Sequence, residues 1–400
     1  MRLLDSVLEG WQKISRPQQK FLRHVLELLW LFPGSATFRN LSRYSAYCEK
    51  SFARWYEREL DFVSLNHTLI EQCVPAAHEQ ALALDASFIS KSGRHSYGVD
   101  QFWNGCHGRS ERGQEISLLA WVDITANSAY ALSVEQTPAT APQEAKTRTR
   151  MDHYLDQVQR VMAARDVAAL KYLLTDGAYS HKPFIDGVRH SGLHQIGKLR
   201  RDSVLRYLYQ GPRRVGPGRP KCYDGKVDFT DLARFERVAT DQANIVLYSQ
   251  TLNHPRFKRN LRVVVVRNTT TQRYALLFST DLTLDALTIY RYYKARFQIE
   301  FVFRDSKQFT GLADCQARSQ RKLAMHFNLS LTALNLAKLE SGAANEPDAA
   351  FSMASLKRRT FNQHLIDRIL QRLDQGQTLD KFSPEYIALC NYGTISCQAA

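Results

Sequence analysis

The residues whose spacing most clearly suggests chemistry lie in the segment 291–307, RYYKARFQIEFVFRDSK. Four polar residues recur there at intervals of three, four and seven positions: Tyr293, Arg296, Glu300 and Lys307. At about 100° per residue, their side chains fall within about 60° on one face of a helix. The spacing therefore predicts a single helix that presents a hydroxyl, a guanidinium, a carboxylate and an ammonium group together. Such a face favours a site where a metal-binding acid meets a phosphate backbone.

Two aspartates lie in apolar runs that are typical of buried strands. Asp85 lies within QALALDASFI, and Asp176 directly follows KYLLT. A carboxylate in such a run is unfavourable unless a cation or a hydrogen-bond partner compensates it. Carboxylates without a cluster of His or Cys favour Mg²⁺ or Mn²⁺ over zinc, and two such ions can catalyse in-line phosphoryl transfer. Each acid taken singly is more typical of a salt-bridged or strand-end residue, but the three together, with the basic side chains beside Glu300, make Asp85, Asp176 and Glu300 candidate ligands.

The charge balance favours a polyanionic partner. The 400 residues include 54 Lys and Arg against 39 Asp and Glu, a formal net charge of +15. Nucleic acid is the commonest partner of such proteins, and a basic protein without one is the alternative on charge alone. The sequence has no Gly-x4-Gly-Lys-Ser/Thr loop, so we expect no nucleotide cofactor.

Cysteine usage and hydropathy indicate the compartment. The seven cysteines form no Cys-x2-Cys pair, which disfavours a disulfide framework or zinc site and favours a reducing cytosol. The most apolar stretch, 21–32, is interrupted by Arg23, His24 and Glu27 and is too short to span a membrane. We therefore expect a cytoplasmic protein without a membrane partner.

Residues 1–75 have the period of helices and are predicted to form a DNA-binding domain. Two short helices are expected around a turn near 46–49. The second would pack its apolar side chains inward: Phe52, Trp55, Tyr56 and Leu60. Its basic side chains recur at every fourth position and would face outward, as in a helix-turn-helix recognition helix: Lys50, Arg54 and Arg58. A helical pair with a solvated basic face is the alternative.

A change of period after residue 75 predicts a sheet. Strands are expected at 80–89, 116–124, 129–134 and 171–175, with a helix at 151–165 before the last of them. A three-stranded meander followed by alternating helices and strands predicts a mixed sheet covered by helices. We therefore expect an α/β core over residues 76–345.

A basic segment and further strands interrupt this core at about 200–282. A Pro/Gly-rich stretch there fits no regular element, and its arginines are candidates for phosphate or minor-groove contacts: Arg213, Arg214 and Arg219. A basic loop without a ligand is the alternative. Strands predicted at 244–251, 261–267 and 273–279 would form a β-rich insertion. Helices are expected at 323–339 and 361–373, the second within a C-terminal tail at 346–400.

The pattern Tyr-x2-Arg-x3-Glu-x6-Lys, complete here, resembles that of a group of DDE-class bacterial insertion-sequence transposases. ALALDASFI and YLLTDGAY also resemble the strands that carry the two aspartates of that family. The resemblance covers about residues 30–340. It implies a ribonuclease-H-like core in which Asp85, Asp176 and Glu300 hold two Mg²⁺ or Mn²⁺ ions. It also implies a β-rich insertion in the long interval between Asp176 and Glu300.

The resemblance further implies contacts with double-stranded DNA. Tyr293 and Arg296 would contact phosphates near the cleaved end of the element, and Lys307 would contact DNA beside it. Arg304 lies close to the same face, whereas His107 is typical of a surface or structural histidine. The partners implied are the inverted-repeat ends and target DNA, with a homodimer in the synaptic complex because two ends must act together. The implied location is the bacterial cytoplasm, in association with the nucleoid.

The activity implied is metal-dependent cleavage of DNA at the terminal inverted repeats, followed by strand transfer into target DNA. One alternative is a ribonuclease-H-like nuclease that cleaves without joining, which the complete Tyr-Arg-Glu-Lys pattern disfavours. Another is a domesticated DNA-binding protein without catalysis, which the presence of all three acids disfavours.

Overall fold

The structure, a computed structural model, describes residues 1–11, 14–139, 148–164, 170–212, 220–344, 351–374, 383–384 and 386–387. The helices described are α1 (Arg2–Gly10), α2 (Arg16–Leu31), α3 (Phe38–Arg43), α4 (Glu49–Trp55), α5 (Phe62–Cys73), α6 (Arg150–Ala164), α7 (Lys182–His190), α8 (Ala286–Ala295), α9 (Gln298–Phe309), α10 (Gln320–Ala344) and α11 (Met353–Asp374). None of these helices is long and apolar enough to cross a membrane.

Twelve strands join in one mixed sheet. Their bounds are β1 (Gln80–Ser90), β2 (Asp100–Asn104), β3 (Arg109–Asp123), β4 (Ser128–Gln136), β5 (Tyr172–Thr175), β6 (His194–Leu199), β7 (Arg206–Leu208), β8 (Tyr223–Lys226), β9 (Glu236–Ala239), β10 (Ile245–His254), β11 (Arg259–Asn268) and β12 (Tyr274–Ser279). The predicted strands of the core and the helices predicted at 151–165 and 323–339 are confirmed, whereas β2 and β6 to β9 were not predicted.

Five strands form the centre of the sheet in the order β4, β3, β1, β5, β6. The pairs β3–β4 and β1–β3 are antiparallel, while β5 pairs in parallel with both β1 and β6. A meander followed by parallel strands, with helices on both faces, is the arrangement of a ribonuclease-H-like core. The predicted α/β class with a mixed sheet is therefore confirmed.

The predicted insertion extends this sheet instead of forming a separate one. β12 returns antiparallel beside β6, and β11 and β10 add to it in turn as a long hairpin. The short strands β7, β8 and β9 complete this end of the sheet. Apolar side chains from β6, β10, β11, β12 and α7 pack together in a second, smaller core. The insertion is thereby fixed directly beside the parallel strands.

The N-terminal helices pack on the same core as the central sheet. Trp30 of α2 donates its indole N–H to the carbonyl of Ala333 in α10, at 2.8 Å. Asn335 of α10 is buried and donates to the carbonyl of Ala131 in β4 and to Oδ1 of Asn66 in α5, at 2.7 and 3.1 Å. Buried polar groups joined in this way fix the register of helix against sheet. The predicted boundaries near residues 75 and 345 stay a prediction.

Candidate active site

The sheet places Asp85 and Asp176 side by side. Leu84 of β1 is in parallel register with Thr175 of β5, and each aspartate is the next residue along its strand. Adjacent strands lie about 4.8 Å apart. Asp176 keeps an extended backbone, with φ −80° and ψ −175°, so that side chains continue to alternate through it. The two carboxylates therefore belong to neighbouring positions on one face of the sheet.

That face is the one that α8 and α9 cover. Lys307 of α9 donates to Oγ of Ser87, and Ser87 lies two residues after Asp85 on the same face of β1. On β5, Tyr172 shares the face of Asp176, and its ring centre lies 5.6 Å from that of Tyr292 in α8. Alternation along two strands thus directs both aspartates towards α8 and α9.

The segment predicted as one helix over 291–307 is two helices, so that prediction is wrong in this respect. α8 ends at Ala295 and α9 begins at Gln298. At the joint, Ile299 N–H bonds to the Arg296 carbonyl and Glu300 N–H bonds to the Phe297 carbonyl, each three residues back. Such bonds tighten a helix locally, as in a 3₁₀ turn. Tyr293, Arg296 and Glu300 nevertheless remain close to one another, because the helix is tightened over one turn only.

Arg296, at this joint, bridges two of the candidate acids. Its guanidinium donates to Oε1 of Glu300 at 2.8 Å, and a second nitrogen lies 3.5 Å from Oδ2 of Asp85. The guanidinium carbon also lies 5.7 Å from the ring centre of Tyr293. Only 9% of Arg296 is exposed. Burial lowers the pKa of Arg296, but the hydrogen bond to Glu300 and the charge of Asp85 outweigh it, so that the net pKa is raised.

Asp85 interacts electrostatically with Arg296 and with the other two candidate acids. Burial raises the pKa of Asp85 to about 7, against the opposing charge of Arg296. The negative charges of Asp176 and Glu300 contribute to this rise. Burial also raises the pKa of Tyr293, and the charges of Asp176 and Glu300 add to that rise. A cation at this position would relieve the repulsion among the acids.

Lys307 is held against β1 beside these acids. Its ammonium donates to Oγ of Ser87 at 2.9 Å and to the carbonyl of Phe88 at 2.8 Å. Burial lowers the pKa of Lys307. Arg304, one helical turn earlier, is 60% exposed and pairs with Asp305. Lys307 therefore has a fixed position at the site, whereas Arg304 points to solvent.

The donor set has the chemistry of a divalent-cation site. Asp85, Asp176 and Glu300 offer only carboxylate oxygens, which Mg²⁺ and Mn²⁺ prefer. Among the described residues, however, no three His, Cys, Asp or Glu side chains are grouped closely enough to hold an ion. Arg296 lies 2.8 Å from Glu300 and 3.5 Å from Asp85, so its single positive charge is shared between the two carboxylates. The residues present fit a metal in donor type, with a guanidinium as the counter-ion between two of them.

The predicted DNA-binding residues outside this site have different positions. Lys50 and Arg54 are exposed on α4, as the period predicted. Arg58 is also exposed but lies beyond the end of α4 at Trp55, so the prediction of a helix reaching it is wrong. Three further predicted contacts lie outside the described residues: Arg213, Arg214 and Arg219. His107, in the β2–β3 turn, is 58% exposed and pairs with Glu111 at 2.9 Å.

A basic groove that the sequence did not indicate joins the N-terminal helices to the core. It has a volume of 520 Å³ and lies between α3, α4 and the segment 315–322. Arg39, Arg318 and Lys322 line it together with the single acid Glu49. Nearly 280 residues separate Arg39 from Arg318 in the chain. No local pattern connects such residues, and only the packing of α3 and α4 beside the start of α10 brings them together.

Comparison with known families gives one match. Residues 56–254 match the profile of a family described as DDE superfamily endonuclease. The matched range contains Asp85 and Asp176 and ends before Glu300. No curated protein matches the chain. The match supports a DDE-type transposase or endonuclease domain, an enzyme class that acts on DNA and generally depends on divalent metal.

Proposed function

We propose that this chain is a DDE transposase that cleaves DNA at the terminal inverted repeats of an insertion sequence and joins the ends to target DNA. One observation carries the proposal. The register of β1 and β5 places Asp85 beside Asp176 on the face where the α8–α9 joint presents Arg296 and Glu300. Acids and cations so arranged suit in-line transfer of a phosphodiester.

Each residue has a separate task in this proposal. Mg²⁺ or Mn²⁺, held by Asp85, Asp176 and Glu300, would supply activation of the attacking oxygen and stabilisation of the leaving one. Lys307 and Tyr293 contact phosphates beside the scissile bond, because an ammonium donates charge-assisted bonds and a phenol donates a neutral one. The hydrogen bonds of Lys307 to β1 hold its ammonium beside Asp85. A DNA strand that contacts Lys307 would therefore reach the acids from the side of β1.

Binding of the DNA ends is assigned to the N-terminal helices. Lys50 and Arg54 are exposed on α4, and the groove lined by Arg318 and Lys322 continues from α4 onto the core. A basic surface of this kind contacts phosphates in a sequence-independent way and positions the duplex. The synaptic complex would be a homodimer, because two ends are cut and joined together.

The alternative is a nuclease of the same fold that cuts without joining. The test uses purified protein, Mg²⁺, a supercoiled plasmid and a labelled duplex that carries the pre-cut end of the element. The end sequence is read from inverted repeats that flank the gene. Strand transfer predicts covalent attachment of the label to the plasmid, whereas a nuclease would nick the duplex without attachment. Absence of flanking repeats would favour an immobile copy or a domesticated nuclease.

A further inference from the structure

A second basic cleft opens immediately beyond Asp176. It has a volume of 540 Å³ and lies between the carboxyl ends of β5 and β6 and the turn that joins β10 to β11. Residues of its wall that bear on function are Gly177, His181, Lys182, Arg200, Val204 and Arg256. Gly177 is the next residue after Asp176, so the wall of the cleft begins one residue beyond a candidate acid.

The cleft lies at a part of the fold where α/β proteins commonly bind ligands. β5 and β6 are parallel, so their carboxyl ends meet at one edge of the sheet. Asp176 follows the end of β5, and Arg200 follows the end of β6 at Leu199. The inserted β10–β11 hairpin adds Arg256 from the other side. The insertion therefore completes a cleft that the five central strands would leave open.

The charge of the cleft suits a phosphate backbone. Arg256 is exposed, and no ion pair is seen for it among the described residues. Arg200 is 83% exposed and pairs at 3.0 Å with Asp202, the one acid that the described part of the chain places in the wall of the cleft, which is itself 67% exposed. Lys182 pairs with Asp186 on the same helix. Val204 is 44% exposed in the wall and offers an apolar surface for sugar. Cations that are so accessible form charge-assisted bonds with phosphate oxygens.

The cleft lies across the acids from Lys307. In the sheet order β1, β5, β6, Lys307 contacts β1, whereas the cleft begins at the end of β5 and extends over β6. A strand that passes over Asp85 and Asp176 from Lys307 would enter this cleft next. We propose that the cleft binds the DNA backbone on the side of the scissile phosphate away from Lys307, an inference that rests on the proposed action on DNA.

The first test measures binding without cleavage. The full chain is titrated in EDTA with a labelled 30-base-pair duplex of arbitrary sequence, and the logarithm of affinity is plotted against that of salt concentration. Arg256→Gln and Arg200→Gln should each reduce the slope by about 0.9 for the lost phosphate contact. The matched control is Lys171→Gln, because Lys171 is exposed at the opposite end of β5 and its replacement removes the same charge.

Two outcomes of this test overturn the proposal. One is a wild-type slope for both cleft variants, and the other is an equal reduction for Lys171→Gln, which would indicate a general effect of charge. Val204→Glu gives an independent reading, because it adds a negative charge to an exposed wall and should weaken binding. Unchanged thermal unfolding shows that each variant is folded. Since no metal is present, these results are separable from any failure of the proposed cleavage.

A second test assigns the side of the scissile phosphate. Two duplexes of the mapped element end are compared, one with ten base pairs of flanking DNA and one trimmed at the cleavage site. Arg256→Gln should weaken binding of the flanked duplex and leave that of the trimmed duplex unchanged. Lys307 is assigned to the element end, so the side away from it carries the flanking DNA. Equal weakening of both duplexes would overturn this assignment of the cleft.

Discussion

Arg296 donates a hydrogen bond to Glu300 across 2.8 Å, one helical turn along the α8–α9 joint, and the same guanidinium reaches Asp85. A guanidinium of the protein therefore lies between two of the candidate metal ligands. The Arg296 side chain is buried, whereas that of Glu300 is 40% exposed, so the pair lies at the border between the protein interior and solvent. The positive charge of Arg296 offsets part of the repulsion among the three acids.

Replacing this guanidinium should strengthen metal binding. In Arg296→Gln the acids keep a hydrogen-bond donor but lose the competing charge, so we expect Mn²⁺ to bind at least about tenfold more tightly. Isothermal titration without DNA measures this affinity. Arg304→Gln is the control, because Arg304 lies on the same helix and is 60% exposed. Unchanged or weaker binding in Arg296→Gln would show that Arg296 does not compete with the metal.

Lys307 should stabilise the folded chain in addition to its proposed contact with DNA. Lys307→Met removes the donor to Ser87 Oγ and to the Phe88 carbonyl while it keeps the length of the side chain. We expect the free energy of unfolding to fall by about 1–3 kcal/mol, as measured in urea. Lys294→Met, at an exposed position of α8, should change it little. Equal stability of the two variants would indicate that the contacts of Lys307 with β1 are weak.

The exposed cations of α4 should set the salt dependence of DNA binding. Lys50→Ala and Arg54→Ala should each reduce the slope of log affinity against log salt by about 0.9 if each side chain contacts one phosphate. Arg23→Ala is the control, because Arg23 on α2 is already paired with Asp5 and Glu27. If both α4 variants keep the wild-type slope of log affinity against log salt, the proposal that α4 binds DNA is wrong.

His254, which lines the cleft of the insertion, should make stability depend on pH. Burial, together with the charge of Arg256, lowers its pKa from an ordinary 6.5 to about 4, and its ring stacks on Phe257 at 3.6 Å. The unfolded chain therefore binds a proton at a pH where the folded chain does not. Stability should fall by roughly 2–3 kcal/mol as the pH drops from 6.5 to 4.

The variant that isolates the contribution of His254 to this pH dependence is His254→Asn. Its amide oxygen can replace the ring nitrogen that accepts a hydrogen bond from the Phe257 N–H. Urea unfolding of both proteins at several pH values between 4 and 7 gives two curves. The variant should lose less stability than the wild type over this range. Parallel curves would show that His254 is protonated alike in the folded and unfolded chains.

The positions of the acids were predictable because they depend on local patterns. Asp85 and Asp176 interrupt apolar runs, and such runs predict strands whatever surrounds them. The break between α8 and α9 was not predictable in this way. Arg296 and Phe297 keep helical backbone angles, and only the spacing of the hydrogen bonds changes. Periodicity reports which face a side chain occupies and is insensitive to such a change.

Non-local pairing explains most of what the sequence did not indicate. β6, HQIGKL, has neither strict alternation nor a long apolar run, and it forms a strand because β5 and β12 lie on either side of it. The return of β12 beside β6 depends on residues about 80 positions apart. The cleft lined by Arg200 and Arg256 could not be predicted from local patterns, because its walls come from separate parts of the chain.

In the proposed function, Asp85, Asp176 and Glu300 together support metal-dependent cleavage of DNA. The most direct measurement is cleavage of a labelled duplex that carries an element end, by wild type and by Glu300→Ala with Mg²⁺, alongside binding of the same duplex in EDTA. Glu71→Ala, at an exposed position of α5, is the control. We predict that Glu300→Ala cuts no more than a protein-free sample and binds the duplex as wild type does. Cleavage by Glu300→Ala at the wild-type rate would contradict the account.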